Sequence, residues 1–278
     1  MKNRVISLVK LIWYSVSEYL RLRIKRAFDG DGFGVPFGSI PLVSVYIPTH
    51  NRKDLLLSRA LPSVLKQSYP NIEIIVVAHG CTDGTELACR TAYGREVKIV
   101  TLARKQTYPP SLENHWFAGR VAASNEGLRH CTGQWIATID DDDAWDRYHI
   151  ETALGFAISN GYEFVSACGD NKNGLIPPYD VNGVKVGPVQ TWLYRSYLSF
   201  FKFNPDCWRK FWNRVCDTDL QDRFRRAGVK MGFLNRTNVH IIPRPGDKDT
   251  GLKAARGNPE TYMKHLSFKE IVNVPARH

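Results

Sequence analysis

Across 278 residues, 43% of the side chains are hydrophobic and 23% charged, a balance that supports a buried core and excludes a disordered chain, a collagen-like repeat or a disulfide-stapled miniprotein. The formal charge of +11 suits either nucleic acid or an anionic membrane surface. Its distribution is uneven: Lys2, Arg4, Lys10, Arg21, Arg23, Lys25 and Arg26 against Glu18 put +6 into residues 1–28 and leave +5 for the rest.

The basic stretch has helical periodicity. Val5, Leu8, Val9, Ile12, Val16, Leu20 and Ile24 recur at three- and four-residue steps, with Lys10, Ser17, Arg21 and Lys25 on the other side. Lys10 and Glu18 break the run too often for a transmembrane span of about 20 apolar residues, and no small-residue cleavage site of a signal peptide is present. A basic amphipathic helix with Trp13 at its boundary suits a membrane–water interface, and packing on the protein's own core is the alternative. Asp29 to Pro41 is rich in Gly and Pro and reads as a linker.

From residue 42 onward short apolar runs alternate with helical stretches. Strands are expected at Val43–Pro48, Ile72–Ala78, Val97–Leu102, Gln134–Ile139 and Phe164–Cys168, with helices at Asp83–Tyr93, Arg120–His130 and Arg147–Asn160. That order predicts an α/β fold, a Rossmann-like and mainly parallel sheet flanked by helices, over residues 42–242. A basic tail follows over 243–278, with Arg244, Lys248, Lys253 and Arg256 able to serve as a lid. Six cysteines without a C-x-x-C pair or zinc spacing point to a reduced, cytoplasm-facing compartment.

Asp140-Asp141-Asp142-Asp143 follows directly on an apolar strand. Neighbouring carboxylates repel and raise one another's pKa, and a hard divalent ion such as Mg²⁺ or Mn²⁺ resolves that conflict through oxygen ligands. A solvated acidic loop is the alternative.

Four blocks together carry a resemblance. They are Val43-Ser44-Val45-Tyr46-Ile47-Pro48-Thr49-His50-Asn51-Arg52, Ala60 to Pro70, Ile74 to Thr85, and Ala122-Ala123-Ser124-Asn125-Glu126-Gly127-Leu128 before the Asp run. In this order they resemble a family 2 glycosyltransferase of the GT-A fold, over roughly residues 42–235. The resemblance implies a nucleotide-diphosphate sugar as donor, a UDP-sugar first among them, and a glycan or lipid-linked acceptor. It implies Mn²⁺ or Mg²⁺ as cofactor and no nucleic acid as partner. The cysteine usage and the basic helix add a cytoplasmic location, peripheral on the inner face of a membrane. Pro48, Thr49 and Asn51 would cup the nucleoside, and Asp140 and Asp142 would hold metal and donor, with Asp142 the direct ligand. Asp141 is the alternative for a ribose or sugar contact. Arg120 would meet the nucleotide or diphosphate, and His240 is a further candidate ligand, with a core histidine as the alternative.

The family's general base corresponds by spacing to Asp217, with Asp219 second, ahead of Arg223 and Gly228; helix capping is the other role for these acids. Departures from the pattern are Ala78-His79 in place of an Asp-Asp pair, which leaves base recognition to His79, Cys216 in place of an acid, and Ser124 in place of an Arg. Two other readings stay open: a nucleotidyltransferase, though no Gly-rich, Lys-bearing phosphate loop follows the first strand, and a basic membrane- or polyanion-binding module with a degenerate site. Nine aromatics between Trp192 and Trp212 could face the acceptor or fill the core.

Overall fold

A computed structural model describes residues 2–29, 40–103, 108–109, 111–181, 183–209 and 215–257. In chain order they form α1 (Lys2–Asp29), β1 (Val43–Thr49), α2 (Lys53–Leu55), a π-helical turn (Leu56–Ala60), α3 (Leu61–Leu65), β2 (Ile72–His79), α4 (Thr85–Tyr93), β3 (Val97–Leu102), α5 (Leu112–Ala118), α6 (Val121–His130) and β4 (Trp135–Thr138). The second half adds β5 (Ala144–Trp145), α7 (His149–Asn160), β6 (Phe164–Asn171), β7 (Gly174–Ile176), β8 (Tyr179–Val181), β9 (Val184–Val186), β10 (Leu193–Arg195), α8 (Cys216–Ala227), β11 (Met231–His240) and α9 (Gly251–Gly257).

Among the described residues nine strands make one sheet, ordered β3-β2-β1-β4-β10-β6-β11-β5 with β7 beside β6. The first four pair in parallel, and β10 is antiparallel to both β4 and β6. β1 is buried along its whole length because both faces of the sheet are covered, as its uninterrupted apolar run requires. It sends Tyr46 into one core layer and Val45 and Ile47 into the other. On the Tyr46 side α6 comes very close: a Cβ at Gly127 would lie 2.7 Å from the Tyr46 ring, so only glycine fits there.

β2 and β3 extend from one side of β1 while β4 lies on the other. The winding direction thus reverses between β1 and β4, and ligands of open α/β sheets bind beyond the carboxyl ends of the strands at such a point. Asn51 and Asp140 follow those two strand ends directly.

The aromatic block serves mainly as core: Trp192, Tyr194, Phe201 and Phe203 are buried, and the first three pack around Phe164 and Phe224. Rings buried that way are closed to a sugar, so for these four the core role is the one the fold takes. Phe211 and Trp212 lie outside the described residues, as do linker residues 30–39 and tail residues 258–278.

The helix expected at the N-terminus is present as α1, and it packs on α8. Glu18 pairs with Arg223 of α8, Leu22 is fully buried, and Arg26 donates to Glu163 Oε1 at 2.6 Å and to the Gly228 carbonyl at 2.8 Å. Gly228 ends α8 in the left-handed region (φ +81°), which turns that carbonyl outward. Among the described residues no helix is long and apolar enough to cross a membrane.

Candidate active site

The loop after β1 is built by its own sequence. Asn51 adopts a left-handed conformation (φ 50°), and its Oδ1 accepts from Thr82 N–H at 2.7 Å. Asp83 accepts from Lys53 N–H at 2.8 Å and from Thr85 N–H at 3.1 Å, which ties the β1 and β2 loops into one rim. Burial opposes the Asp83 charge, but these donors outweigh it and hold its pKa below the ordinary value. His79 ends β2 at the same rim, its carbonyl 2.7 Å from His50 Nδ1. Pro48 and Thr49 are buried at the end of β1.

Opposite this rim stands the Asp run. Carboxylate oxygens of Asp140, Asp142 and Asp143 lie within 4.8 Å of one another. Gln190 Nε2 bridges Asp140 Oδ2 (2.7 Å) and Asp143 Oδ2 (2.9 Å), and the Ile242 N–H donates to Asp143 Oδ1 at 3.1 Å. Asp141 takes Arg52 at 2.8 Å. Asp142 takes Arg244 at 2.5 Å, with Arg52 at 3.5 Å. Arg59, on the π-helical turn, donates to the carbonyls of Asp142 (3.0 Å) and Pro243 (3.2 Å), so the chain at 242–244 is pinned against the acids.

The four carboxyls divide by electrostatics. Burial raises the Asp143 pKa well above its ordinary value, and Asp142 and Asp140 push it further. Asp140 and Asp141 are also raised by burial, with Arg120 and Arg52 respectively opposing the rise. Asp142 alone is lowered: burial works against its charge, but Arg52 and Arg244 outweigh it. A crowded, part-buried oxygen set with excess negative charge fits a hard divalent cation.

Arg120 reaches Asp140 Oδ1 at 3.2 Å from the start of α6 and is largely buried, so it is not a solvated surface arginine. Its Nε donates to Ser124 Oγ at 3.3 Å. The serine at 124 thus supports an arginine arriving from one helical turn earlier. Asn125 clamps the chain at Phe203 through two hydrogen bonds of 2.9 and 2.8 Å, placing that ring 5.9 Å from the Arg120 guanidinium.

The two candidate bases part company on α8. Asp219 is buried and pairs with Arg223 at 3.3 Å, within the network that holds α1. Asp217 lies on another side, close enough for its charge to act on both Arg120 and Asp140. Burial raises its pKa, with Arg120 opposing. Both acids occupy the first turn of α8 rather than the N-cap, which is Val215. His240 is neither buried nor among the gathered carboxylates: it is exposed at the end of β11, with Nδ1 2.8 Å from Asp170 Oδ1. Asp143, Arg52, Arg59 and Gln190 are site residues that the sequence reading left unassigned. Only Asp143 carried a local signal, its place in the Asp run.

Comparison with known proteins bears on the family and the fold. The chain is 27% identical over 124 residues to the Escherichia coli UDP-Glc:alpha-D-GlcNAc-diphosphoundecaprenol beta-1,3-glucosyltransferase WfgD, a stretch covering 45% of this chain and 44% of that protein. Two solved structures share its fold. S. aureus TarS 1–349 in complex with UDP-GlcNAc matches at a TM-score of 0.55 and 17% identity, over 85% of this chain and 68% of the other. The mannosyltransferase PcManGT from Pyrobaculum calidifontis, in complex with GDP-Man and Mn²⁺, matches at 0.53 and 17% identity, over 99% and 77%. The fold is therefore GT-A. The sequence model of glycosyl transferase family 2 matches residues 44–204, more than half of the protein, and the chain belongs to that family.

Proposed function

We propose that the protein transfers a sugar from a nucleoside-diphosphate donor to a glycan or lipid-linked acceptor at a membrane surface, with inversion and with a divalent metal. The observation that carries this reading is the convergence of Asp140, Asp142 and Asp143 at the β1/β4 switch point, with Asp217 within electrostatic reach. Donor chemistry draws support from the relatives: WfgD is named for UDP-Glc, TarS is seen with UDP-GlcNAc and PcManGT with GDP-Man. A lipid-linked acceptor draws support from the diphosphoundecaprenol in the WfgD name.

Asp142 and Asp140 would hold Mn²⁺ or Mg²⁺, with Asp143 as third carboxylate, and the ion would offset the charge of the departing diphosphate. Pro48, Thr49, Asn51 and His79 would line the nucleoside side, and Asp141 would be held by Arg52 towards ribose or sugar. The acceptor hydroxyl attacks the anomeric carbon, the bond from that carbon to the diphosphate oxygen breaks, and Asp217 takes the hydroxyl proton. Arg120 pairs with Asp140 and its charge acts on Asp217, so it would favour a bound diphosphate and keep the raised Asp217 carboxyl ionisable.

Thermal-shift measurements with UDP-, GDP-, dTDP- and CMP-sugars, each with and without Mn²⁺, test this reading. Stabilisation by at least one donor, dependent on metal and lost in Asp140→Ala/Asp142→Ala, is expected. No response to any donor overturns it and favours a non-catalytic module.

A further inference from the structure

The N-terminal helix is docked the unexpected way round. The side of α1 facing the domain carries Glu18, Leu22 and Arg26, spaced four apart, and is held by the Glu18–Arg223 and Arg26–Glu163 pairs. Its apolar stripe, Trp13, Val16, Leu20, Ile24 and Phe28, points away from the protein; Trp13 is 71% and Phe28 86% exposed. At 3.6 residues per turn these five cover about a third of the circumference, opposite the docking side. Ordinary amphipathic helices bury the apolar face and wet the polar one. Here the polar face is consumed in holding the helix to the protein, and the apolar face is kept outside.

We propose that this face of α1 is the surface by which the protein lies on an anionic lipid bilayer, with the stripe immersed among the acyl chains and the basic residues at the headgroups. The inference extends the membrane element of the function above and is independent of the glycosyl-transfer element. Charge selects the occupant. Arg21 and Arg23 are exposed and border the stripe on its two sides, with Lys25 also exposed. The acid of the stretch, Glu18, is buried in its pair with Arg223. A second copy would bring the same +6 of residues 1–28 against itself, whereas anionic headgroups complement it.

The docking also orients the site. α1 is held to α8 at two points, Glu18 on Arg223 and Arg26 on the Gly228 carbonyl, and α8 carries Asp217 in its first turn. A bilayer under α1 therefore stands in a fixed relation to the carboxylate assigned to the acceptor proton. A lipid-linked acceptor would arrive from that plane.

Flotation of the full chain with vesicles of phosphatidylcholine alone, or with a third phosphatidylglycerol, tests the proposal. Wild type is expected to float with the anionic vesicles and to be released as salt is raised. Leu20→Glu/Ile24→Glu should weaken that partition roughly tenfold or more, and Arg21→Glu/Arg23→Glu should abolish the preference for anionic lipid. All four positions are exposed, and an unchanged melting temperature verifies the fold. Metal-dependent donor binding should be the same in all three proteins, so loss of flotation and loss of the enzymatic reading are read separately. Wild type that stays with the unbound fraction, or a Leu20→Glu/Ile24→Glu variant that floats like wild type, overturns the proposal. A concentration-dependent dimer in light scattering that this variant converts to monomer overturns it in favour of a second copy.

Discussion

Two regions of the molecule bury carboxylates against arginines, and they differ in what each acid meets: Glu18, Glu163 and Asp219 in the α1–α8 dock each pair with an arginine, whereas Asp143 is met by Gln190 and the Ile242 N–H. In the dock Glu163 pairs with Arg26, and Glu18 and Asp219 share Arg223. At the β4 end four successive aspartates share Arg52, Arg120 and Arg244. Burial and like charge leave Asp143 well above its ordinary pKa and Asp140 and Asp141 raised; in the dock Glu163 is lowered by its partners, and Glu18 is raised by burial. A network of paired acids stabilises a particular packing. A buried carboxyl crowded by like charges, as Asp143 is by Asp140 and Asp142, does not, and the proposed metal site rests on that crowding.

The strongest way to break this contrast is to relieve the crowding. Asp140→Asn/Asp142→Asn should cut turnover by about three orders of magnitude, since a metal contributes several kcal/mol of transition-state charge stabilisation. Manganese-dependent nucleotide binding, followed by calorimetry, should vanish with it, while the melting temperature without ligand should hold or rise. A fall in that temperature comparable to a dock mutation would make the acid cluster structural.

Next in size is the separation of Asp217 from Asp219. Asp217→Asn should lower kcat by roughly 10²- to 10⁴-fold with donor binding intact. In wild type the acid limb of kcat/KM should titrate above the ordinary carboxylate range, because burial raises Asp217 and activity is lost as pH falls through that raised value. Asp219→Asn should instead weaken the α1 dock and leave the pH profile in place. Equal kinetic losses in the two variants would remove the distinction drawn on α8.

The fold was legible where the chain carries contiguous information. Five apolar runs became β1, β2, β3, β4 and β6: β1 and β4 are buried along their whole length, β2 and β6 over most of theirs, and β3, at the sheet edge, exposes Lys98 and Thr101. β10, three residues between aromatic neighbours, has no period to read. β11 slips register twice, between Leu234 and Val239, where Asn235 and Arg236 interrupt the alternation. The site divides in the same way. Four consecutive aspartates announce themselves, and Asp217 is recoverable from its spacing to Arg223 and Gly228. Gln190 lies 50 residues from Asp140 in sequence, and Arg244 is 102 from Asp142, so only tertiary structure makes them partners. The outward stripe of α1 was visible as a stripe, yet which side meets the protein depended on Arg223 and Glu163, far along the chain.

Smaller effects belong to the dock, where the two glutamates should respond to pH with opposite sign. Burial opposes the Glu163 charge, but Arg26, the Lys230 N–H and Tyr197 outweigh it, so its folded pKa is depressed. Its stabilisation is present above the unfolded pKa and is lost as pH falls through the folded one. Glu18 is raised by burial, which its Arg223 pair offsets only in part, so its contribution is complete below the unfolded pKa and is lost as pH rises through the raised value. Glu163→Gln should therefore cost about 1–2 kcal/mol at pH 7, a few degrees of melting temperature, and the deficit should close in acid. Glu18→Gln should match or slightly exceed wild type at pH 7 and converge with it in acid. Melting curves of both variants across pH 4 to 8 read the two signs directly.

The finest test concerns Arg244, which joins the two kinds of region because it is an arginine partner placed on the crowded cluster. Its Nε sits 2.5 Å from Asp142 Oδ2, where a metal bound by Asp142 would compete for the same oxygen. Removing it has two consequences of opposite sign. For Mn²⁺ alone, Arg244→Ala takes away a competing cation, and affinity should rise roughly fivefold, the worth of about 1 kcal/mol for a partly exposed charge-assisted contact. For Mn²⁺ with a nucleoside diphosphate, a guanidinium displaced from Asp142 would be able to pair with the diphosphate, so its loss should weaken binding by a similar factor. Calorimetric titrations of metal alone and of metal with UDP, in wild type and variant, separate these effects. A change of the same sign in both titrations would mean that Arg244 only shapes the site, and that the aspartate cluster keeps its arginine when the donor is bound.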